Sequence, residues 1–192
     1  MILRKIVLGV VASAMALSLG LAPALAAETG LSWTSYDSGA HGFSVKFPFK
    51  NITKTNQYIT PEGATQKVPM TIFMSTEGNN GPFGVTTYDA TNWPLAQKLK
   101  PNTVTLHDST SKDVATKLLK GIFAAPELKN LVLRTSKTGL STTFNFELNS
   151  TYFAGTLTTT RNNMMYVVYH NYSQVGSEAN VYNEFINSFV AK

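Results

Sequence analysis

The sequence predicts an α+β fold: a single antiparallel β-sheet of about seven or eight strands, covered by a middle helix and a C-terminal helix. Three observations lead there. Apolar and polar residues alternate in short runs between residues 42 and 89 and again between 128 and 172, with Gly, Pro and Asn separating the runs. Two stretches, near residues 112–123 and 177–192, carry apolar residues at helical spacing instead. These helices do not alternate with the strands, which argues against a parallel sheet built from βαβ units.

The first 26 residues stand apart. Arg4 and Lys5 open with charge, residues 6–21 are almost wholly apolar or small, and Ala24-Leu25-Ala26 fits a small-residue cleavage pattern. This is the layout of a secretory signal peptide, so residues 1–26 are expected to be removed and the mature chain to begin near Ala27. A retained anchor is the alternative, but the apolar run is short for a span and closes in small residues rather than charge, so no transmembrane segment is expected after cleavage. Residues 27–41 read as a polar, Gly- and Ser-rich N-terminal extension, and residues 42–192 as one α+β domain.

Within that domain Phe43, Val45 and Phe47 alternate with Ser44 and Lys46, a half-buried strand that Pro48 closes. Residues 54–60 suit a weaker strand. Residues 67–75 suit another, with Val68, Met70, Ile72 and Met74 inward, and residues 83–89 a further one. Turns at Pro61-Glu62-Gly63 and at residues 77–82 make a meander the economical arrangement.

Asn92-Trp93-Pro94 breaks the alternation, and residues 95–100 fit a short helix. A better helix covers 112–123, with Val114, Leu118 and Ile122 one turn apart, Ser111 as its cap, Asp113 in its first turn and Pro126 beyond its end. Strands follow at 128–135 and 140–148, where Phe144, Phe146 and Leu148 alternate with Asn145, Glu147 and Asn149. A hairpin over 151–172 turns on Arg161-Asn162-Asn163, since Asn accepts left-handed backbone angles. Ser177 caps the last helix with Glu178 beside it. Its stripe of Val181, Phe185 and Phe189 needs a sheet to pack on.

Composition excludes several kinds of chemistry. The chain has no cysteine, which removes disulfides, thiolate nucleophiles and Cys-based zinc sites. A secreted domain of this size buries enough surface to manage without staples. The net charge of +5 falls to about +3 once Arg4 and Lys5 are gone. The remaining bases are scattered and mostly lysine, whereas base and phosphate readout favours arginine, so no nucleic-acid partner is expected. Weak contact with an anionic membrane surface is compatible with that charge.

Three histidines are present: His41, His107 and His170. None has a partner at metal-binding helical spacing, and there is no HExxH, GxSxG, SxxK, P-loop or GxGxxG. Asp37 and His41, four apart in a Gly-rich stretch, could be two ligands or an acid–base pair, but loop spacing fixes no geometry. The isolated carboxylates do not make a calcium loop. No catalytic residue, metal or cofactor is therefore assigned. What remains is aromatic: Trp33, Tyr36, Trp93, Tyr166 and Tyr169, together with His170, form a candidate contact surface, because Tyr and Trp are favoured where proteins touch. Trp33 and Trp93, in loop-like polar surroundings, are the foremost of these.

A secreted chain whose fold opens with Gly-Phe-Ser-Val-Lys-Phe-Pro (residues 42–48) then runs through a meander, an amphipathic helix and further strands. Met165-Tyr166-Val167-Val168-Tyr169 leads to a final helix ending Phe185-Ile186-Asn187-Ser188-Phe189. In this it resembles the PsbP/DcrB-like group over residues 33–191. The resemblance implies a small antiparallel sheet covered by helices, and an accessory, assembly or binding role without catalysis. It supplies no catalytic residue, and the chain lacks the lipid-modified cysteine that some bacterial members carry.

The expected protein is thus periplasmic or extracellular and non-catalytic, acting through contacts with a protein or an envelope component. Two alternatives stand beside it. One is a carrier of a small hydrophobic ligand or lipid held between sheet and helix, with Met70, Met74, Met164 and Met165 as adaptable liners. The other is a hydrolase using His170 or His41.

Overall fold

The computed structural model describes residues 33–62, 64–77, 80–98, 109–135, 141–159, 162–172 and 179–192. The expected leader at 1–26, His107, and the expected cap at Ser177 and Glu178 lie outside these residues. The chain is mixed α+β. Its strands are β1 (Thr34–Ser38), β2 (Phe43–Phe47), β3 (Ile52–Ile59), β4 (Val68–Glu77), β5 (Asn80–Asp89), β6 (Lys129–Thr135), β7 (Ser141–Leu148), β8 (Thr151–Thr159), β9 (Met164–Tyr172) and β10 (Val190–Ala191). Its helices are α1 (Pro94–Gln97), α2 (Ser109–Ile122) and α3 (Ala179–Asn187). Among the described residues no helix is long and apolar enough to cross a membrane.

Seven strands form one antiparallel sheet in the order β3-β4-β5-β9-β8-β7-β6. Consecutive hairpins build each half, and the halves meet where β9 lies antiparallel to β5. The expected single sheet is corrected here, because β1, β2 and β10 form a separate three-stranded sheet. Phe43, Val45 and Phe47 all point one way and are buried, as the alternation predicts. They cover the face of the larger sheet instead of extending it. Alternation tells which side of a strand is buried, not which sheet the strand joins. The N-terminal extension also contains structure: Thr34–Ser38 pairs with β2 as an edge strand, where a polar sequence carries little penalty.

One face of the large sheet packs on α2. Val114, Leu118, Leu119 and Ile122 meet side chains that come from all seven strands, among them Met70, Phe144, Phe146 and Val167. The helix starts at Ser109, so Ser111 lies inside it instead of capping it. Asp113 pairs with Lys117 one turn on, at 2.9 Å. The helix stops well before Pro126, because Ala124 turns left-handed (φ 50°) and Ala125 N–H returns to the Lys120 carbonyl at 2.9 Å.

The other face holds a second core. Phe43, Val45, Phe47 and Phe185 pack on Phe73, Phe83, Val85, Tyr166 and Val168 from β4, β5 and β9. These three strands are therefore buried on both faces, which is why residues 164–169 read as a nearly unbroken apolar run. Each fully buried Phe or Leu contributes roughly 1.5–3 kcal/mol by leaving water. Phe185 of α3 is fully buried, and Val181 and Phe189 pack at the core's edge. Beyond α3 the chain turns through Ser188, which accepts from Lys46 N–H at 2.9 Å and donates to the Phe185 carbonyl at 2.7 Å. β10 then pairs with β2.

Two glycines shape the centre of the large sheet. Phe144, Gly155, Tyr169 and Gly84 stand side by side on β7, β8, β9 and β5. A Cβ on Gly84 would lie 2.5 Å from the Tyr169 ring, and one on Gly155 would lie 2.5 Å from the Phe144 ring. Each ring thus leans over its glycine neighbour and fills the missing side chain's space.

Candidate functional site

Two places gather polar groups near solvent: the turn at His41, and the half of the large sheet that the small sheet leaves uncovered.

At the first, β1 ends in a 3₁₀ turn over Gly39–His41, and Gly42 reverses the chain with φ +65°, a conformation glycine adopts freely. Tyr166 O–H holds this turn by donating to the carbonyls of His41 (2.9 Å) and Gly42 (3.1 Å). Lys192 N–H reaches the Gly42 carbonyl at 2.8 Å. The His41 ring meets Phe73 edge-on at 5.1 Å, and its Nδ1 lies 3.4 Å from Thr87 Oγ1. Burial, with a smaller contribution from Lys54, lowers the pKa of His41 below the usual histidine value. His41 is therefore neutral at neutral pH. Asp37 does not orient it, because the Asp37 carboxylate is bound to Lys192 Nζ. A neutral imidazole beside a buried threonine, at the long limit of a hydrogen bond, closes the turn. Among the described residues no carboxylate is bonded to its ring.

The six residues expected at a contact surface do not form one exposed surface. Tyr166, Tyr169 and His170 are 1% exposed and Trp93 is 0% exposed, so all four belong to the interior. The reason for three of them is that β9 is covered on both faces. His170 stacks on Phe83 with ring centroids 4.2 Å apart, walled from solvent. Trp93 lies inside because its indole N–H finds the Glu62 carbonyl at 3.1 Å and its ring packs edge-on to Tyr88. Trp33 and Tyr36 are half-buried against the second core, with Tyr36 5.6 Å from Phe73. Burial raises the pKa of Tyr166, and raises that of Tyr169 to about 12. The four methionines offered as pocket liners also lie in or against the two cores. Among the described residues no group of three His, Cys, Asp or Glu could hold a metal ion.

The second place was not read from the sequence. The side chains facing the second core form rows across the large sheet. One row runs Phe83, His170, Ala154, Asn145, Val132; another runs Val85, Val168, Thr156, Thr143, Arg134. Along each row burial falls from complete on β5 and β9, through Ala154 and Thr156 at 8% and 7% exposed, to exposed Asn145, Arg134 and Val132. No described residue of β6, β7 or β8 enters the second core. Glu147 accepts from Asn130 Nδ2 at 3.4 Å at the rim. The outcome is a shelf of hydroxyl, amide and charged groups with one exposed valine, beside the wall formed by β2 and α3. The polar half of β7, Asn145 and Glu147, was visible as alternation. That it would lie uncovered depends on strand order.

No family model matches the chain, and no curated protein matches its sequence.

Proposed function

We propose that this chain is an exported, non-catalytic binding protein of the PsbP/DcrB-like kind, which holds a protein of the cell envelope on the open shelf of β6, β7 and β8. The observation that carries this reading is the graded row from Val85 to Arg134. The same face of the same sheet changes from sealed core to hydrated polar surface within five strands. Short Thr and Asn side chains give up little rotamer freedom on contact, and Arg134 and Val132 add charge and apolar area. The reading that leaves catalysis aside draws on the seclusion of His170 and the engagement of Asp37 by Lys192. A hydrophobic carrier would need room between sheet and α2, where Tyr88, Trp93, Phe123, Phe144 and Phe146 now pack.

The test places a photoreactive side chain at Val132 on the shelf and, in a second protein, at exposed Lys112 on α2. The shelf probe is expected to give a discrete adduct in the envelope fraction that the α2 probe does not. Identical labelling from both positions, or none from Val132, would sink the proposal. Export is checked separately by the mass of the mature chain, which should begin near Ala27.

A further inference from the structure

The large sheet has two outer strands, β3 and β6, and they are finished in different ways. β6 is interrupted: its register with β7 shifts between Lys129 and Val132, Asn130 adopts a positive φ of 54°, and Lys129 and Arg134 point charge outward. These are the devices by which an edge discourages pairing. β3 has neither the register shift nor the left-handed residue. It pairs with β4 in unbroken register from Ile52 to Ile59, contains no proline, and carries one charged residue, Lys54, in eight. Among the described residues no other strand pairs with its outer edge. Tyr58 on this strand is 67% exposed, more than any other large apolar side chain described.

We propose that β3 pairs antiparallel with β3 of a second copy of this chain, about a two-fold axis through Asn56. The side chains of β3 suit this register. A two-fold at Asn56 sets Lys54 of one copy opposite Tyr58 of the other, twice. Lys54 already lies over the Phe73 ring of β4 at 5.6 Å, so the ammonium would sit between two rings. At the axis Asn56 meets its own copy. Its Oδ1 accepts from Thr71 O–H at 3.0 Å, which leaves its amide N–H groups to donate across the seam. Thr55 stands opposite Gln57, and Thr53 opposite Ile59. The two Lys54 side chains are kept four residues apart, about 13 Å, beyond the screening length at physiological salt. An eight-residue seam lies at the small end of specific interfaces, below about 1,200 Å² in total, so the dimer is weak and forms reversibly in the micromolar range.

Sedimentation of the purified chain up to about 0.5 mM should show a monomer–dimer equilibrium. Tyr58→Lys, at an exposed position that leaves the circular dichroism unchanged, should raise the dissociation constant at least about tenfold by setting two like charges together. The double variant Lys54→Glu/Tyr58→Lys should restore association, because the register alone puts those positions opposite one another. The chain has no cysteine, so Asn56→Cys on oxidation should give a covalent dimer, while Thr53→Cys, about 20 Å from its own copy, should not. A chain that stays monomeric throughout overturns the proposal, even if β3 accepts a strand from another protein. So does a dimer indifferent to Tyr58→Lys, or equal cross-linking from positions 53 and 56.

Discussion

On the α2 side of the large sheet, apolar side chains from every strand converge under one helix. On the other side the second core draws its buried residues of this sheet from β4, β5 and β9, Ala154 and Thr156 of β8 are still buried, and β7 and β6 present exposed Asn145, Val132 and Arg134. The two faces belong to the same strands, so the difference does not lie in backbone geometry. It lies in the extent of the covering layer. The second core takes no described residue from β8, β7 or β6, and the exposed side chains at that end are polar apart from Val132. One face is sealed across the whole sheet, and the other ends in the surface proposed for contact.

The comparison breaks most readily at the aromatic cluster on the α2 side. Phe146 is 1% exposed and has Phe123, Phe153 and Phe144 within 4.8, 5.3 and 5.6 Å. Phe146→Ala should cost about 3–5 kcal/mol of global stability in urea unfolding. Phe185→Ala, on the other side, empties a space between Phe47 and Phe83. It should cost less globally and release amide-exchange protection first in β1, β2 and β10. Equal global losses with uniform exchange would mean that the two cores form one cooperative unit and that the small sheet is no separate layer.

A second effect is tied to the α2 side alone. Tyr88 and Tyr169 both face it, and burial raises both pKa values, Tyr169 to about 12. In the unfolded chain a tyrosine ionises near pH 10. Above that pH the unfolded state gives up phenolic protons that the folded state retains, so stability is intact below about pH 10 and falls as the pH rises toward the folded value. For Tyr169 alone the loss amounts to about 2–3 kcal/mol by pH 12. Urea titrations at about pH 8 and pH 11 should show it, and Tyr169→Phe should remove part of the slope. A slope unchanged in that variant would mean that Tyr169 ionises in the folded protein.

How much of this was legible follows from what periodicity encodes. The alternation of Phe43, Val45 and Phe47, the stripe of Val114, Leu118 and Ile122, and the turn at Asn162-Asn163 each specify local structure, and each element forms within a few residues of its expected bounds. β1 was missed because Ser, Thr and Asp at an edge carry no apolar signal. The second sheet was missed because an inward face does not name the layer it faces. Trp93 was assigned to the surface from its polar neighbours, yet one carbonyl, that of Glu62, satisfies its indole and lets the ring go inside. The shelf was half visible: β7 showed its polar side, but only the order β5-β9-β8-β7 places that side outside the second core.

The smallest expected effect is also the sharpest test of that shelf. Asn145 is exposed, stands between Val132 and Ala154, and faces away from the Phe144–Phe146 cluster. If the face is open, Asn145→Lys changes stability by no more than about 0.5 kcal/mol, because the new ammonium stays in water. Its effect should appear instead as loss of the adduct formed by a probe at Val132, since a bulky charge would then stand where the proposed partner docks. A loss above about 1 kcal/mol in the isolated protein would mean that burying the ammonium is costly there, as it is under a covering layer. The two faces of the sheet would then be finished alike, and the shelf would be core.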